Sequence, residues 1–141
     1  MSVRGGFEGL RVGADVADVQ DTARSIERFG DRYVRRLFTD DEIDYCRARA
    51  PSKSDEAMRF AARFAAKEAT IKLLRTDARP DFRTIEVRRS EVGWCDVVLH
   101  GRAQELADEA GLDELSLSMS HESRYATAVV VARRRNRRRG K

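Results

Sequence analysis

Two carboxylates, a lysine and a histidine stand where the sequence could do metal or phosphate chemistry. Glu68 falls four residues after Phe64 and three before Ile71, so on a helix it lies on the apolar stripe that faces inward. A carboxylate there needs a cation, either a basic side chain or a hard, oxygen-seeking metal such as Mg²⁺. Lys72 follows four residues later, the favourable order for an ion pair on a helix surface, so both readings of Glu68 are open. Asp15 is equally double. An aspartate near the end of a strand serves as a turn or cap residue as readily as a metal ligand. Gly13, two residues earlier on the same face, offers bare backbone that a ligand could approach. His121 ends an alternating run beside a turn, where an imidazole can be a base, a phosphate contact or simply a locally satisfied side chain.

Other chemistries are excluded. Ser118 and Ser120 lie on the face opposite His121 with no Gly-x-Ser-x-Gly elbow, so a serine-nucleophile hydrolase has no support. Neither a Walker loop nor G-x-G-x-x-G is present. Cys46 and Cys95 are far apart and outside any Cys/His cluster, which argues against a disulfide scaffold or structural zinc and fits a reducing cytosol. No apolar run approaches the roughly 18 residues of a membrane span, and no signal-peptide core opens the chain. The expectation is a cytoplasmic protein, neither secreted nor membrane-embedded.

Positioning these residues falls to a single domain, given 141 residues, 41% hydrophobic and 37% charged. The formal net charge is +4, but the basic residues from Arg133 to Lys141 supply +7, leaving −3 for the rest. The basicity belongs to a tail. Residues 1–132 are expected to form the domain and 133–141 a disordered basic extension.

"LRVGADVADV" alternates Leu10, Val12, Ala14 and Val16 against Arg11, Gly13 and Asp15, the pattern of a half-buried strand with Asp15 on its other face. The segment from Gln20 to Ala50 reads as short helices, broken at Gly30 with Asp31 as a cap and restarted at Thr39, whose capping box is completed by Glu42. "EAMRFAARFAAKEATIKLLR", free of Pro and Gly, should be the longest helix, with Ala57, Ala61, Phe64 and Ile71 on its apolar face. "FRTIEVRR" and "CDVVLHG" read as strands joined by a turn at Gly93, followed by a short helix at "AQELADEAG". "LSLSMSHESRYATAVVVA" closes the chain as a hairpin with Leu115, Leu117, Met119 and His121 on one face and its turn near Glu122 to Arg124. The class is α+β: an antiparallel sheet packed on one long helix with shorter helices.

The segments "VGADVADV", "RRLFTDDE", "RFAARFAAKEATIKLL" and "SLSMSHESRYATAVVV" stand in the order and near the spacing of the holo-acyl-carrier-protein synthases. The chain resembles that family, part of the 4′-phosphopantetheinyl transferase superfamily, over about residues 9–132. G-x-D at Gly13 to Asp15 and F-x-x-K-E-x-x-x-K from Phe64 to Lys72 form its paired signature. The resemblance implies transfer of 4′-phosphopantetheine from coenzyme A to a serine of an apo acyl carrier protein. It implies Mg²⁺ bound by Asp15 and Glu68 together with pyrophosphate oxygens. Lys72 and Arg63 would lie near the phosphates and His121 beside the pyrophosphate. The base would be Glu68 through a water, His121, or a hydroxide on the metal. Glu68, Lys72 and His121 are thus the implied catalytic residues. A homotrimer with sites between subunits is implied too, with Arg24, Arg28 and Arg32, joined by Arg35 and Arg36, facing the acidic carrier.

Three positions depart from the family pattern. Asp21 stands where arginine is usual, with Arg24 one turn later as its substitute. The helix end Lys72, Leu73, Leu74, Arg75 lacks a glycine, and Gly93, Trp94, Cys95 lacks a proline. They suggest a branch dedicated to a polyketide or other special carrier rather than to fatty-acid synthesis. Two alternatives compete with transfer: a non-catalytic relative, and a nucleic-acid-binding protein acting through "RRRNRRRGK".

Overall fold

The computed structural model describes residues 9–48 and 50–135. Strand β1 (Leu10–Asp18) leads into helices α1 (Val19–Phe29), α2 (Asp31–Leu37) and α3 (Asp40–Ala48), then into the long helix α4 (Lys53–Leu74). A 3-10 turn at Phe82–Thr84 precedes β2 (Ile85–Arg89) and β3 (Cys95–Leu99), followed by α5 (Gly101–Glu109), β4 (Leu112–His121) and β5 (Tyr125–Arg134). The first three residues of the expected "FRTIEVRR" strand are therefore that turn, capped by Asp81, whose side chain accepts from Arg83 N. Strands β1, β5 and β4 form one antiparallel sheet in that order, and β2 and β3 form a second.

Local chemistry explains the helix boundaries. Ser52 caps α4 by accepting from Asp55 N. Thr39 and Glu42 make the expected reciprocal box, Glu42 N donating to Thr39 Oγ1 at 3.2 Å and Thr39 N to Glu42 Oε1 at 2.8 Å. Gly30, at φ 61°, ends α1 and itself caps α2, so Asp31 is the first helical residue and not the cap.

The core is a small-residue seam. Ala57, Ala61, Ala65, Ala66 and Ala69 of α4 lie buried in one cluster with Ala17 of β1 and Ala126, Ala128, Val130 and Ala132 of β5. Alanine on both sides lets helix and sheet backbones approach closely, and at Gly13 they meet: an added Cβ would overlap the Ala69 carbonyl oxygen. The space beside Gly13 thus belongs to α4 and not to a ligand. The same packing inverts the expected faces of β1. Leu10, Val12 and Val16 are 48%, 60% and 62% exposed, while Gly13 and Ala17 are buried. Turning the larger row inward would drive valines into the α4 backbone, so packing overrides hydropathy and fixes the face.

Beside this core, Phe38 and Phe60 pack with tilted rings, centroids 4.8 Å apart, and Val34, Ile43 and Cys46 are buried around them, holding α2 and α3 against α4. Strand β5 runs through Arg133 and Arg134, where the basic extension was expected to begin, and Arg133 pairs with Asp113 and Glu114. Residues 136–141 of that extension lie outside the described residues.

Candidate active site

Asp15 lies on the inner face of β1, opposite Ala128 of β5 and two residues beyond the Gly13 contact with α4. Its carboxylate is 17% exposed and accepts from Lys72 Nζ at 3.0 Å, while the same ammonium donates to the Ala14 carbonyl. Lys72 therefore reaches across to β1 instead of pairing with Glu68, the partner its i+4 spacing suggested. Glu68 lies one turn earlier than Lys72 on the same side of α4. It accepts from Arg79 at 3.1 Å, across the loop that follows the helix. Two partly buried carboxylates, 17% and 22% exposed, are thus each capped by an exposed cation, Lys72 at 55% and Arg79 at 61%.

This donor set suits one kind of metal. Among the described residues, no group of three or more His, Cys, Asp or Glu side chains gathers, so an all-protein cage is not built. Mg²⁺ does not require one: it keeps several waters and takes one or two carboxylates plus substrate phosphates. Asp15 and Glu68 fit that pattern.

The remaining expected residues lie elsewhere. Met119, Ala128 and Asp15 form one row across the sheet, and His121, Ala126 and Ala17 form the row two residues further along. Strand spacing then puts the His121 backbone roughly 12 Å from that of Asp15. A shallow recess formed by Ser120, His121, Glu122, Arg124, Tyr125 and Thr127 surrounds it. One chain does not join His121 to the carboxylates. Arg63, 4% exposed, also points away: its guanidinium lies 4.3 Å over the Tyr45 ring of α3 and donates to the Arg59 carbonyl. Arg59 and Arg89 approach that ring too, each at 5.6 Å, and the Arg63 Nε is buried without a hydrogen-bond partner. A focus of positive charge results.

On α1, Arg24, expected to stand in for the arginine missing at position 21, is paired with Asp21 itself, so that charge is internally neutralised. Arg28 stacks over Phe29 at 5.1 Å and Phe29 is itself 54% exposed, while Arg32 is exposed on α2.

Lys67 was not anticipated. It sits beside Glu68 in sequence yet is fully buried, its Nζ donating to Glu42 Oε1 at 2.8 Å and to the carbonyls of Phe82 and Ile85. Glu42 binds Val87 N with its other oxygen, so the capping-box glutamate also pins α3 to α4 and β2. Burial lowers the Lys67 pKa, with Glu42 acting in the opposite direction. Close by, Glu86 accepts from Thr39, Arg88 and His100. Burial tends to raise its pKa, but His100, Thr39 and Arg88 together hold it below the ordinary value. Burial pushes the Cys46 thiol up to about 12, which removes it as a nucleophile. The signal for Lys67 was there, a lysine inside an alanine-rich buried helix, but its partners are 15 to 25 residues distant. Arg79 carried no periodic signal at all.

Comparison with known proteins identifies the family. Residues 11–130 match the family model of the 4′-phosphopantetheinyl transferase superfamily. The holo-[acyl-carrier-protein] synthase of Koribacter versatilis is 42% identical over 124 residues, covering 86% of this chain and 96% of that protein. The enzyme of the same name from Moorella thermoacetica is 41% identical over 124 residues, with 86% and 92% covered. Among solved structures, the ACPS-CoA complex of Chronobacterium ammoniagenes superposes with a TM-score of 0.77 at 28% identity, covering 92% of this chain and all of that one. With residues 11–130 matched by the family model and relatives 42% and 41% identical, the chain belongs to the 4′-phosphopantetheinyl transferase superfamily.

Proposed function

We propose that this protein is a magnesium-dependent holo-acyl-carrier-protein synthase. It transfers 4′-phosphopantetheine from coenzyme A to a serine hydroxyl of an apo carrier protein. The observation that carries this reading is the pair Asp15 and Glu68, held on facing elements and each covered by an exchangeable cation. In the reaction the serine oxygen bonds to the phosphorus that bears pantetheine, and the bond from that phosphorus to the bridging oxygen breaks. Adenosine 3′,5′-bisphosphate leaves. A bound Mg²⁺ would neutralise charge on the phosphoryl oxygens. Asp15 and Glu68 would hold it, and Lys72, released from Asp15, would add positive charge at the phosphates. Arg63, held over Tyr45 away from the carboxylates, would contribute through the positive charge of that cluster. His121 and Glu68 acting through a water are this chain's candidates for accepting the serine proton.

The assembly we infer is a homotrimer. Two features support it: the outer sheet face leaves Leu10, Val12, Val16 and Val129 exposed, and His121 lies two strands away from Asp15 of its own chain. The carrier would dock on the surface of Arg28, Phe29 and Arg32, with Arg24 tempered by Asp21. No helix among the described residues is long and apolar enough to cross a membrane, and the reading places the enzyme in the cytoplasm.

The test is mass spectrometry of several purified apo carriers incubated with the protein, coenzyme A and Mg²⁺. A phosphopantetheine-sized gain that disappears in Glu68→Gln supports the reading and identifies the carrier. No gain on any carrier would turn the assignment to a non-catalytic relative.

A further inference from the structure

We propose that Arg79 is a phosphate-binding residue held in reserve on Glu68. It neutralises that carboxylate in the ligand-free chain and moves to the pyrophosphate of coenzyme A when a divalent cation takes its place. The inference rests on the reading of Asp15 and Glu68 as the metal carboxylates, and it adds a substrate contact to that site.

Glu68 has a helical neighbour suited to pairing with it, yet Lys72 is engaged by Asp15 and the Ala14 carbonyl. Its cation comes instead from the loop, eleven residues on in sequence. That loop is tied at both ends. Arg75 closes α4 in the left-handed conformation at φ 52°, and Pro80 is buried. Preceding a proline, Arg79 is biased to extended backbone, so its guanidinium stays beside the carboxylate site even after leaving Glu68.

The ion pair is also built to open. Arg79 is 61% exposed and its partner 22%, whereas the neighbouring Lys67–Glu42 pair is 0% exposed on both sides. Releasing Arg79 uncovers no core and breaks only an exposed pair, which costs little. Charge then balances. A divalent cation neutralises the two carboxylates, and the freed Lys72 and Arg79 match the single negative charge on each phosphoryl group of the pyrophosphate. The planar guanidinium fork is the side chain best suited to phosphate oxygens.

The experiment separates metal from substrate binding. Mn²⁺ is titrated into the full chain by electron paramagnetic resonance with no coenzyme A or carrier present. Coenzyme A binding is then measured by calorimetry at saturating Mn²⁺. Arg79→Gln should bind Mn²⁺ about two- to fivefold more tightly, because its competitor is gone. It should bind coenzyme A about tenfold more weakly, because a charged contact is lost. Arg79→Lys, which keeps the charge without the fork, should lie between the two in both assays. Wild-type values for Arg79→Gln in either titration, or weaker Mn²⁺ binding, would overturn the inference. Mn²⁺ binding that survives Glu68→Gln would instead overturn the metal assignment itself, and the inference with it. Metal binding that depends on Glu68 but not on Arg79 removes only the inference.

Discussion

Lys67 and Glu68 are consecutive residues of α4, and each is joined to an opposite charge, yet the two pairs have opposite natures. Lys67 meets Glu42 with both side chains at 0% exposure and adds the Phe82 and Ile85 carbonyls, so every ammonium proton has an acceptor. Glu68 meets a guanidinium that is mostly in water. One step along a helix turns the side chain by about 100°, enough to carry it from a sealed junction to the partly exposed side of the helix. The buried pair is structural; the open pair is where the proposed reading has cations exchange. Charge on this helix is read by what surrounds it, not by spacing alone.

Breaking the buried pair should have the largest effect. Lys67→Ala leaves the Glu42 carboxylate buried and uncompensated and should cost about 3–5 kcal/mol, seen as a lower denaturant midpoint. Next is the seam that sets Asp15 against α4. Gly13→Ala would press a methyl group into the Ala69 carbonyl, costing about 1–3 kcal/mol and lowering transfer activity through the displaced Asp15. Thermal melts with assays on the same samples check both.

Smaller changes sharpen the contrast. Arg75 occupies a left-handed conformation at the position where the family resemblance led us to expect glycine, at φ 52°. Arg75→Gly should therefore stabilise the chain by about 1 kcal/mol, also relieving Arg11, whose pKa burial and then Arg75 depress. The smallest effect is at Glu86. Its folded-state pKa lies below 4.5, so its contribution is present above that pH and lost as pH falls through the folded value. The stability difference between wild type and Glu86→Gln should shrink on the acid side of pH 4.5, followed by chemical denaturation across a pH series.

What was legible in the sequence was local. The α4 run without breakers, the Thr39 to Glu42 box and the closing hairpin depend on residues a few positions apart, and the structure has all three. Spacing alone left the roles of Asp15 and Glu68 open; the family resemblance paired them, and the structure carries them on β1 and α4, which pack against each other. What failed was tertiary. The apolar row of β1 looked like its buried face because hydropathy favours it, but only Gly13 and Ala17 are small enough to meet α4. Lys72 was weighed as the partner of Glu68 because periodicity sees i+4, whereas the strand that captures it is 57 residues away. His121 sits on the inner face as expected, but two strands from Asp15, a separation that alternation within one strand cannot reveal.

On the proposed reading Asp15 and Glu68 serve catalysis and not stability, and one paired measurement on Glu68→Gln tests this directly. The variant and wild type are melted, then each is incubated with an apo carrier, coenzyme A and Mg²⁺ and the carrier mass recorded. Glu68→Gln should melt within about 3 °C of wild type, as for loss of an exposed ion pair, and give no phosphopantetheine gain. A variant that still loads the carrier at the wild-type rate, or one that loses activity only because it unfolds, would contradict it.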